Sequence, residues 1–327
     1  MTGSNRSDVE IRPFRIEIPQ AALDDLRDRL ARTRWPDELP GVGWSRGVPV
    51  NYLKGLADYW ANSYDCRKAE ARLNEFPQFT TEIDGQDIHF VHVRSANADA
   101  TPLLLLHDWP GSYMQFIDVI GPLSQDFHLV IPSMPGIGFA IPLSGPGWNI
   151  GKTADAYTEL MPRLCYDRYD VQGSGGGAYI GPEIGRLAPE RVIGVHVNVL
   201  VTFPSGNPAD FADLIEDEQE RLARLQHFRD DMLTNVSIYW FTGTAGSSVN
   251  LYYEMAHDPS GWGPQASRHR PTGVAVALTT DVAIRRFAER DHNITHWTEF
   301  ERGGAFLAME QPDLLVGDVR AFFSKLR

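Results

Sequence analysis

Tyr169 and Val171 lead into Gly173-Ser174-Gly175-Gly176-Gly177, and a helix-like stretch from Ala178 to Leu187 follows. A strand that turns sharply through glycine into a helix is the layout that holds one reactive side chain over a sheet edge, the nucleophile elbow. The apex of this turn is Gly175, which has no side chain to react. Ser174 stands one residue too early, and re-registering the turn on it would put bulky Gln172 where a small residue is needed. The plainer role for Ser174 is that of a turn serine satisfying backbone groups. The glycine run also invites a phosphate or dinucleotide reading. The following strand ends in Val199-Leu-Val201, without the acidic residue that a ribose requires, so no nucleotide is expected and no other cofactor is suggested. Glycine at the apex has a simpler cause, because the elbow residue prefers positive φ, which glycine adopts without steric cost.

The turn needs a sheet and helices to hold it. Leu23, Leu26 and Leu30 recur at helical spacing over Ala21–Thr33, and Trp35-Pro36 closes that helix. Further helices are predicted near Tyr52–Ala61 and Cys66–Glu75, so residues 1–77 form a helical extension. From Phe79 a hairpin with an Asp84-Gly85 turn is predicted, then strands at Leu103–Leu106, His128–Ile131, Tyr169–Val171, Val192–Val201, Gly273–Leu278 and Ile294–Phe300. Helical stretches lie between most of them, which predicts an α/β fold, a mainly parallel sheet flanked by helices, over 78–201 and 271–327. The alternation fails over 202–270, where charged helical and Tyr/Trp/Gly-rich segments predict a cap above the strand ends. The acidic run Glu216–Glu220 reads as a solvated helix face.

The bulk composition narrows the partners. Of 327 residues 43% are hydrophobic and the net charge is −13, which argues against nucleic acid or an anionic membrane. No run of eighteen apolar residues occurs and the start is polar, so a cytoplasmic protein is expected. Cys66 and Cys165 are isolated and suggest neither a disulfide framework nor a thiolate metal site; both read as small buried hydrophobes.

Many ordered markers run along the chain: Phe14-Arg-Ile-Glu-Ile-Pro19, Arg34-Trp-Pro36, Glu82-Ile-Asp-Gly85, His107-Asp-Trp-Pro-Gly-Ser112, Pro135-Gly-Ile-Gly-Phe139, Tyr239-Trp-Phe-Thr-Gly243, Leu251-Tyr-Tyr-Glu254 and Arg302-Gly-Gly-Ala-Phe306. Over nearly its whole length the chain resembles the microsomal-type epoxide hydrolases of the α/β-hydrolase fold, with their N-terminal helical domain. The resemblance implies an aspartate nucleophile at the elbow, a histidine that activates water, an acid that orients the histidine, and cap tyrosines that donate to the epoxide oxygen. Residue by residue, the nucleophile falls on Gly175, the base on Ala305 and the acid on Asp281, with Tyr253 or its neighbour Tyr252 as the surviving cap tyrosine. The segment for a second tyrosine looks shortened, since Arg224–Asp231 runs almost directly into Met232. In a well-studied serine hydrolase, losing the nucleophile or base alone costs roughly a millionfold in turnover. Hydrolysis by the family's route is therefore not expected.

Against that pattern Asp108 stands out, because the family has glycine between His107 and Trp109, beside the oxyanion-hole backbone. A carboxylate there, partly desolvated and near substrate, suits acid/base work; local capping before Trp-Pro-Gly is the plainer alternative. The backbone near Trp109 and Gly176 is the expected oxyanion site. Trp109, Phe116, Ser174, Tyr179, Tyr239, Trp240, Tyr252 and Phe306 are the expected chamber lining, about half of which would be core packing in any such protein. His107 reads as structural, and His292 is a fallback base for which a loop histidine is the commoner explanation. Degenerate relatives on this fold act as cofactor-free cyclases or C–C bond-forming enzymes in secondary metabolism. The same is expected here, on a large apolar, aromatic or polyketide-type molecule containing a quinone or enediyne. Asp108 and Tyr253 would then be the proton-handling pair, and a homodimer is compatible with the chain. The alternatives are a non-catalytic binder of such molecules and an epoxide hydrolase using direct water attack.

Overall fold

The computed structural model describes residues 10–46, 48–200, 254, 268–281 and 283–327. Three short helices open the chain: α1 (Gln20–Ala31), α2 (Val50–Asn62) and α3 (Cys66–Leu73). The Asp65 side chain caps α3 by accepting from the backbone N–H groups of Arg67 and Lys68. Ahead of α1 lies a strand that the sequence did not predict, β1 (Arg12–Phe14), which pairs antiparallel with β2 (Gln78–Ile83). The extension therefore supplies the edge strand of the core sheet. Asn74 ties it down further, exchanging two hydrogen bonds with the backbone of Ile16.

The sheet has nine strands in the order β1-β2-β3-β5-β4-β6-β7-β8-β9. The remaining strands are β3 (Gln86–Val93), β4 (Thr101–Leu106), β5 (Phe127–Pro132), β6 (Tyr169–Ser174), β7 (Val192–Asn198), β8 (Arg268–Ala277) and β9 (His292–Phe300). The expected Asp-Gly hairpin joins β2 to β3, with Asp84 and Gly85 both at positive φ, as a tight primed turn requires. β3 runs antiparallel to β5, and β4 to β9 are parallel. Leu103 to Leu106 are all buried, because helices cover both faces of the central strands. On one face pack α5 (Ile150–Arg163) and α6 (Gly176–Leu187); on the other pack α4 (Ile117–Leu123) and the last helix, Pro312–Phe323.

Two expectations change. Cys165 is exposed, because it sits at positive φ in the turn that ends α5, and Cys66 is half-buried at the start of α3. Among the described residues no helix is long and apolar enough to cross a membrane. The expected cap lies outside the described residues, apart from Glu254, which accepts a hydrogen bond from the backbone N–H of Gly147.

Candidate active site

In a parallel sheet the loops after the strand carboxyl ends share one rim, and here β4, β6, β8 and β9 send their following loops to it. The loop after β6 is the glycine turn. Gly175 has φ +48°, and its N–H donates to the carbonyl of Asn198 at the end of β7. Gly177 serves a different need: a Cβ there would lie 2.3 Å from the carbonyl oxygen of Leu106, so α6 can start this close to β4 only without one. The turn is the predicted strand–turn–helix, with the helix beginning two residues early, at Gly176.

The loop after β4 delivers the decisive side chain. Oδ1 of Asp108 accepts the backbone N–H of Gly176 at 2.7 Å and that of Trp109 at 2.7 Å. A Cβ built on Gly175 would fall 1.9 Å from Cγ and from Oδ1 of Asp108, and 2.0 Å from Oδ2. The carboxyl group of Asp108 thus fills the space of the side chain that the elbow lacks. It reaches across 67 positions of sequence to do so. Oδ2 accepts no hydrogen bond among the described residues. Asp108 is only 7% exposed, and burial pushes its pKa up to about 6 against the pull of the Gly176 and Trp109 N–H groups. Two backbone donors on one oxygen would ordinarily hold a carboxylate low, so desolvation wins here.

This placement corrects one expectation. The backbone N–H groups of Trp109 and Gly176 do form a convergent pair of donors, yet both are spent on the protein's own carboxylate and neither is open to a substrate oxygen. The loop itself is held rigidly. His107, fully buried, donates from Nδ1 to the carbonyl of Asp108 and accepts at Nε2 from the N–H of Met134. Both ring nitrogens are therefore committed, and burial lowers the ring's pKa to about 4, so it stays neutral. The N–H of Asp108 donates to Oε1 of Gln115.

The other candidates divide between rim and core. Tyr179, half-buried in the first turns of α6, lies within the field of Asp108. Burial, and then that negative charge, push its phenol up to about 12, so it is a protonated hydroxyl. Trp109 is half-buried against the core. Phe306 is half-buried too, its ring edge beside Gly111 in the Asp108 loop. Phe116 is not a lining residue: it closes a 3-10 turn (Tyr113–Phe116) and is wholly buried in the core beneath α4. Ser174 also turns inward. Its hydroxyl accepts from Nδ2 of Asn198 and donates to the carbonyl of Ala305 at 3.5 Å. That contact fixes Ala305, 2% exposed, beside the elbow, where a base would be needed and only a methyl group stands. Asp281, in the loop after β8, is buried and accepts the N–H of Ala277 at 2.8 Å. Thr279 of the same loop donates to the carbonyl of Gly303, so the acid-bearing and base-position loops touch.

His292 cannot serve as a fallback base. It is the first residue of β9, whose last residue, Phe300, lies at the rim. At roughly 3.3 Å per residue the two ends are about 26 Å apart. Tyr239, Trp240, Tyr252 and Tyr253 lie outside the described residues. Among the described residues no cluster of His, Cys, Asp and Glu could hold a metal ion.

Comparison with known proteins agrees with this architecture. Residues 11–116 match the epoxide hydrolase N-terminus family. A provisionally named epoxide hydrolase of Stigmatella aurantiaca is 35% identical, over 97% of this chain and 86% of its own length. That alignment spans 381 positions, more than this chain contains, so the relative carries insertions absent here. Juvenile hormone epoxide hydrolase 2 of Ctenocephalides felis is also 35% identical, over 97% of this chain and 86% of its own. Among solved structures, the Aspergillus niger epoxide hydrolase superposes with a TM-score of 0.83 at 25% identity, covering 98% of this chain and 97% of that one. The juvenile hormone epoxide hydrolase of Bombyx mori shares the fold, with a TM-score of 0.84. With its α/β-hydrolase sheet, its N-terminal extension and these relatives, the chain belongs to the microsomal-type epoxide hydrolase family.

Proposed function

We propose that this member of the family is a cofactor-independent, non-hydrolytic enzyme that closes a ring or forms a C–C bond in a large apolar molecule. The substrate class is an aromatic or polyketide-type metabolite carrying a quinone, epoxide or enediyne. The observation that carries the proposal is the Asp108 carboxyl group standing in the volume of the elbow side chain while residue 305 offers no imidazole. The site thus keeps a buried carboxylate poised near neutrality, with Tyr179 as a neighbouring protonated hydroxyl. What it lacks at 305 is the group that would activate water. The described histidines are placed elsewhere: His89 bonds Ser133 and Gln78, His92 bonds Tyr166, His128 bonds the backbone of Ser95 and Ala98, and His196 and His296 bond Asp318. His269 is the second residue of β8, at the end of that strand away from the rim, and His227 and His257 lie outside the described residues.

A proton-transfer group near its own pKa supplies about 10²–10⁴ in rate. Holding an internal carbon nucleophile against an electrophilic ring carbon supplies roughly 7–11 kcal/mol more. Asp108→Asn should therefore lower turnover of a bound polycyclic quinone or epoxide precursor at least a hundredfold. Product formed in ¹⁸O-water should carry no label. Labelled diol from wild-type protein would overturn the proposal, as would the absence of both binding and conversion across such precursors. The labelled diol would instead fit a second reading, direct attack by a water that Asp108 deprotonates, which Oδ2, without a hydrogen bond among the described residues, favours. A precursor that binds wild-type protein and is recovered unchanged would mark a binding protein.

A further inference from the structure

In hydrolases on this kind of scaffold, paired backbone donors present positive charge to a substrate oxygen. Here the Gly176 and Trp109 N–H groups both end on Oδ1 of Asp108, so a carboxylate stands where a pair of open donors would, and the polarity of the site is inverted. The other carboxylate oxygen, Oδ2, is an acceptor with no partner among the described residues. Nothing cationic among the described residues bears on that carboxylate; only burial and the two N–H groups perturb it. The same anion raises the neighbouring Tyr179 phenol, so its charge is felt by hydroxyls around it.

We infer that this site selects ligands by a weakly acidic hydroxyl, a phenol or the enol of a β-dicarbonyl, donated to Oδ2 of Asp108, and that it rejects carboxylates and other oxyanions. The inference rests on the proposed role of Asp108 and names the substrate group that meets it. Three facts converge. A neutral donor satisfies the open oxygen and adds a charge-assisted hydrogen bond. An anionic ligand meets a buried negative charge with its natural donors already occupied. A phenol or enol that gives its proton to Asp108 becomes nucleophilic at its ring or α carbon, which is what C–C bond formation consumes. The balance is simple: the O–H bond breaks, its proton passes to Oδ2, and the electron pair stays on the enolate. When that carbon attacks the electrophile, Asp108 returns the proton to the oxygen released there.

The test uses the full chain and three probes of one shape, 2-naphthol, 2-methoxynaphthalene and 2-naphthoate, titrated near pH 7.5 by calorimetry. Wild-type protein should bind 2-naphthol roughly tenfold or more tighter than the methoxy analogue and than the carboxylate. Asp108→Ala should abolish the preference for naphthol and admit naphthoate, whose oxygens then find the freed N–H pair. Should that variant fail to fold, Asp108→Asn keeps the shape and should cut the naphthol preference below about threefold. Naphthoate binding as tightly as naphthol to wild type would overturn the inference, as would a ranking unchanged in both variants or no binding of any probe. This ranking is independent of turnover, so a protein that ranks the probes as stated yet converts no precursor refutes only the proposed reaction.

Discussion

Asp108→Gly and Gly175→Asp, made singly and together, should form a strongly non-additive cycle. Aspartate at 175 must first adopt φ +48°, which costs a non-glycine residue about 1–2 kcal/mol. Its Cβ then overlaps the Asp108 carboxyl, every atom of which lies within 2.0 Å of that point. Asp108 must swing out and forfeit two hydrogen bonds to its charged oxygen, about 1.5–3 kcal/mol each. The single variant should thus lose about 4–8 kcal/mol, enough to unfold many domains. With glycine at 108 the overlap is gone, and the new carboxylate at 175 inherits the N–H of Gly176 and Trp109. Only the backbone cost remains.

Asp108→Gly alone forfeits the same two hydrogen bonds, about 3–6 kcal/mol, so the coupling should be about 6–12 kcal/mol, against about 0.5 kcal/mol for sites that do not interact. Urea denaturation of the four proteins at one pH measures it. If Gly175→Asp is too unstable to purify, rescue of soluble expression by Asp108→Gly reads the same coupling. A chemical readout accompanies it: the paired variant should accumulate a covalent ester with styrene oxide, visible in the intact mass, and adding Ala305→His should release it as diol. Additive stabilities, or Gly175→Asp tolerated at under about 1 kcal/mol, would refute the claim that one volume is shared by two positions.

Asp108 is raised from its ordinary 3.8 to about 6, so the folded protein holds that proton more tightly than the unfolded chain does. Its contribution is therefore most favourable below about pH 4 and falls away as pH rises toward 6. Wild type should lose about 3 kcal/mol relative to Asp108→Asn over that window and run parallel above it; denaturation midpoints that track each other from pH 4 to 7 would contradict this. Gly177→Ala should cost about 3 kcal/mol by driving a methyl into the Leu106 carbonyl. Gly317→Ala, in the last helix with nothing within 4 Å, should gain about 0.5–1 kcal/mol, and thermal melts that fail to separate the two would count against the packing. Asp318 is buried between Nε2 of His196 and Nε2 of His296; burial raises its pKa, but the His196 hydrogen bond and charge, then Thr298 and His296, outweigh that and hold it at about 2. Asp318→Asn should cost about 3 kcal/mol at neutral pH, and the deficit should shrink as pH falls from about 4 through 2, which acid titration of both proteins would show or refute.

Much of the frame was legible because it is written locally. The Asp84-Gly85 turn between alternating strands and the four-leucine run of β4 each carry their structure in a few adjacent residues. So does the glycine apex, whose φ of +48° a neighbour-by-neighbour reading anticipates. β1 was missed because three residues with a proline in the middle carry no periodicity; it exists only because β2 offers an edge. Phe116 and Ser174 were misplaced for a related reason. Residue type does not say which way a side chain turns: the 3-10 turn aims Phe116 into the core, and Asn198 and the Ala305 carbonyl hold the Ser174 hydroxyl inward. The sequence marked Asp108 as unusual but not where its carboxyl ends. A signal was available, since a side chain lost at the elbow and one gained on the adjoining loop are complementary changes in volume.

The exchange does not merely relocate a nucleophile. A side chain on residue 175 would offer its carboxylate end-on, with Cγ bonded to Cβ and both oxygens farther away. The Asp108 carboxyl instead has Cγ, Oδ1 and Oδ2 at nearly equal distances from that Cβ position, which places its flat face toward the elbow. The in-plane lone pairs therefore point along different lines from those of an elbow aspartate, and one oxygen is pinned by two N–H groups. Backside displacement at carbon demands an in-line approach at about 3–3.5 Å. Proton exchange asks only that an O–H reach one lone pair at roughly 2.6–3.2 Å. The rotated carboxylate meets the second requirement far more readily than the first, and the methyl group at 305 leaves no imidazole there to discharge an ester if one formed. Both changes, 130 residues apart in sequence, push the site in one direction, away from covalent hydrolysis, and so favour the proton transfer proposed for Asp108.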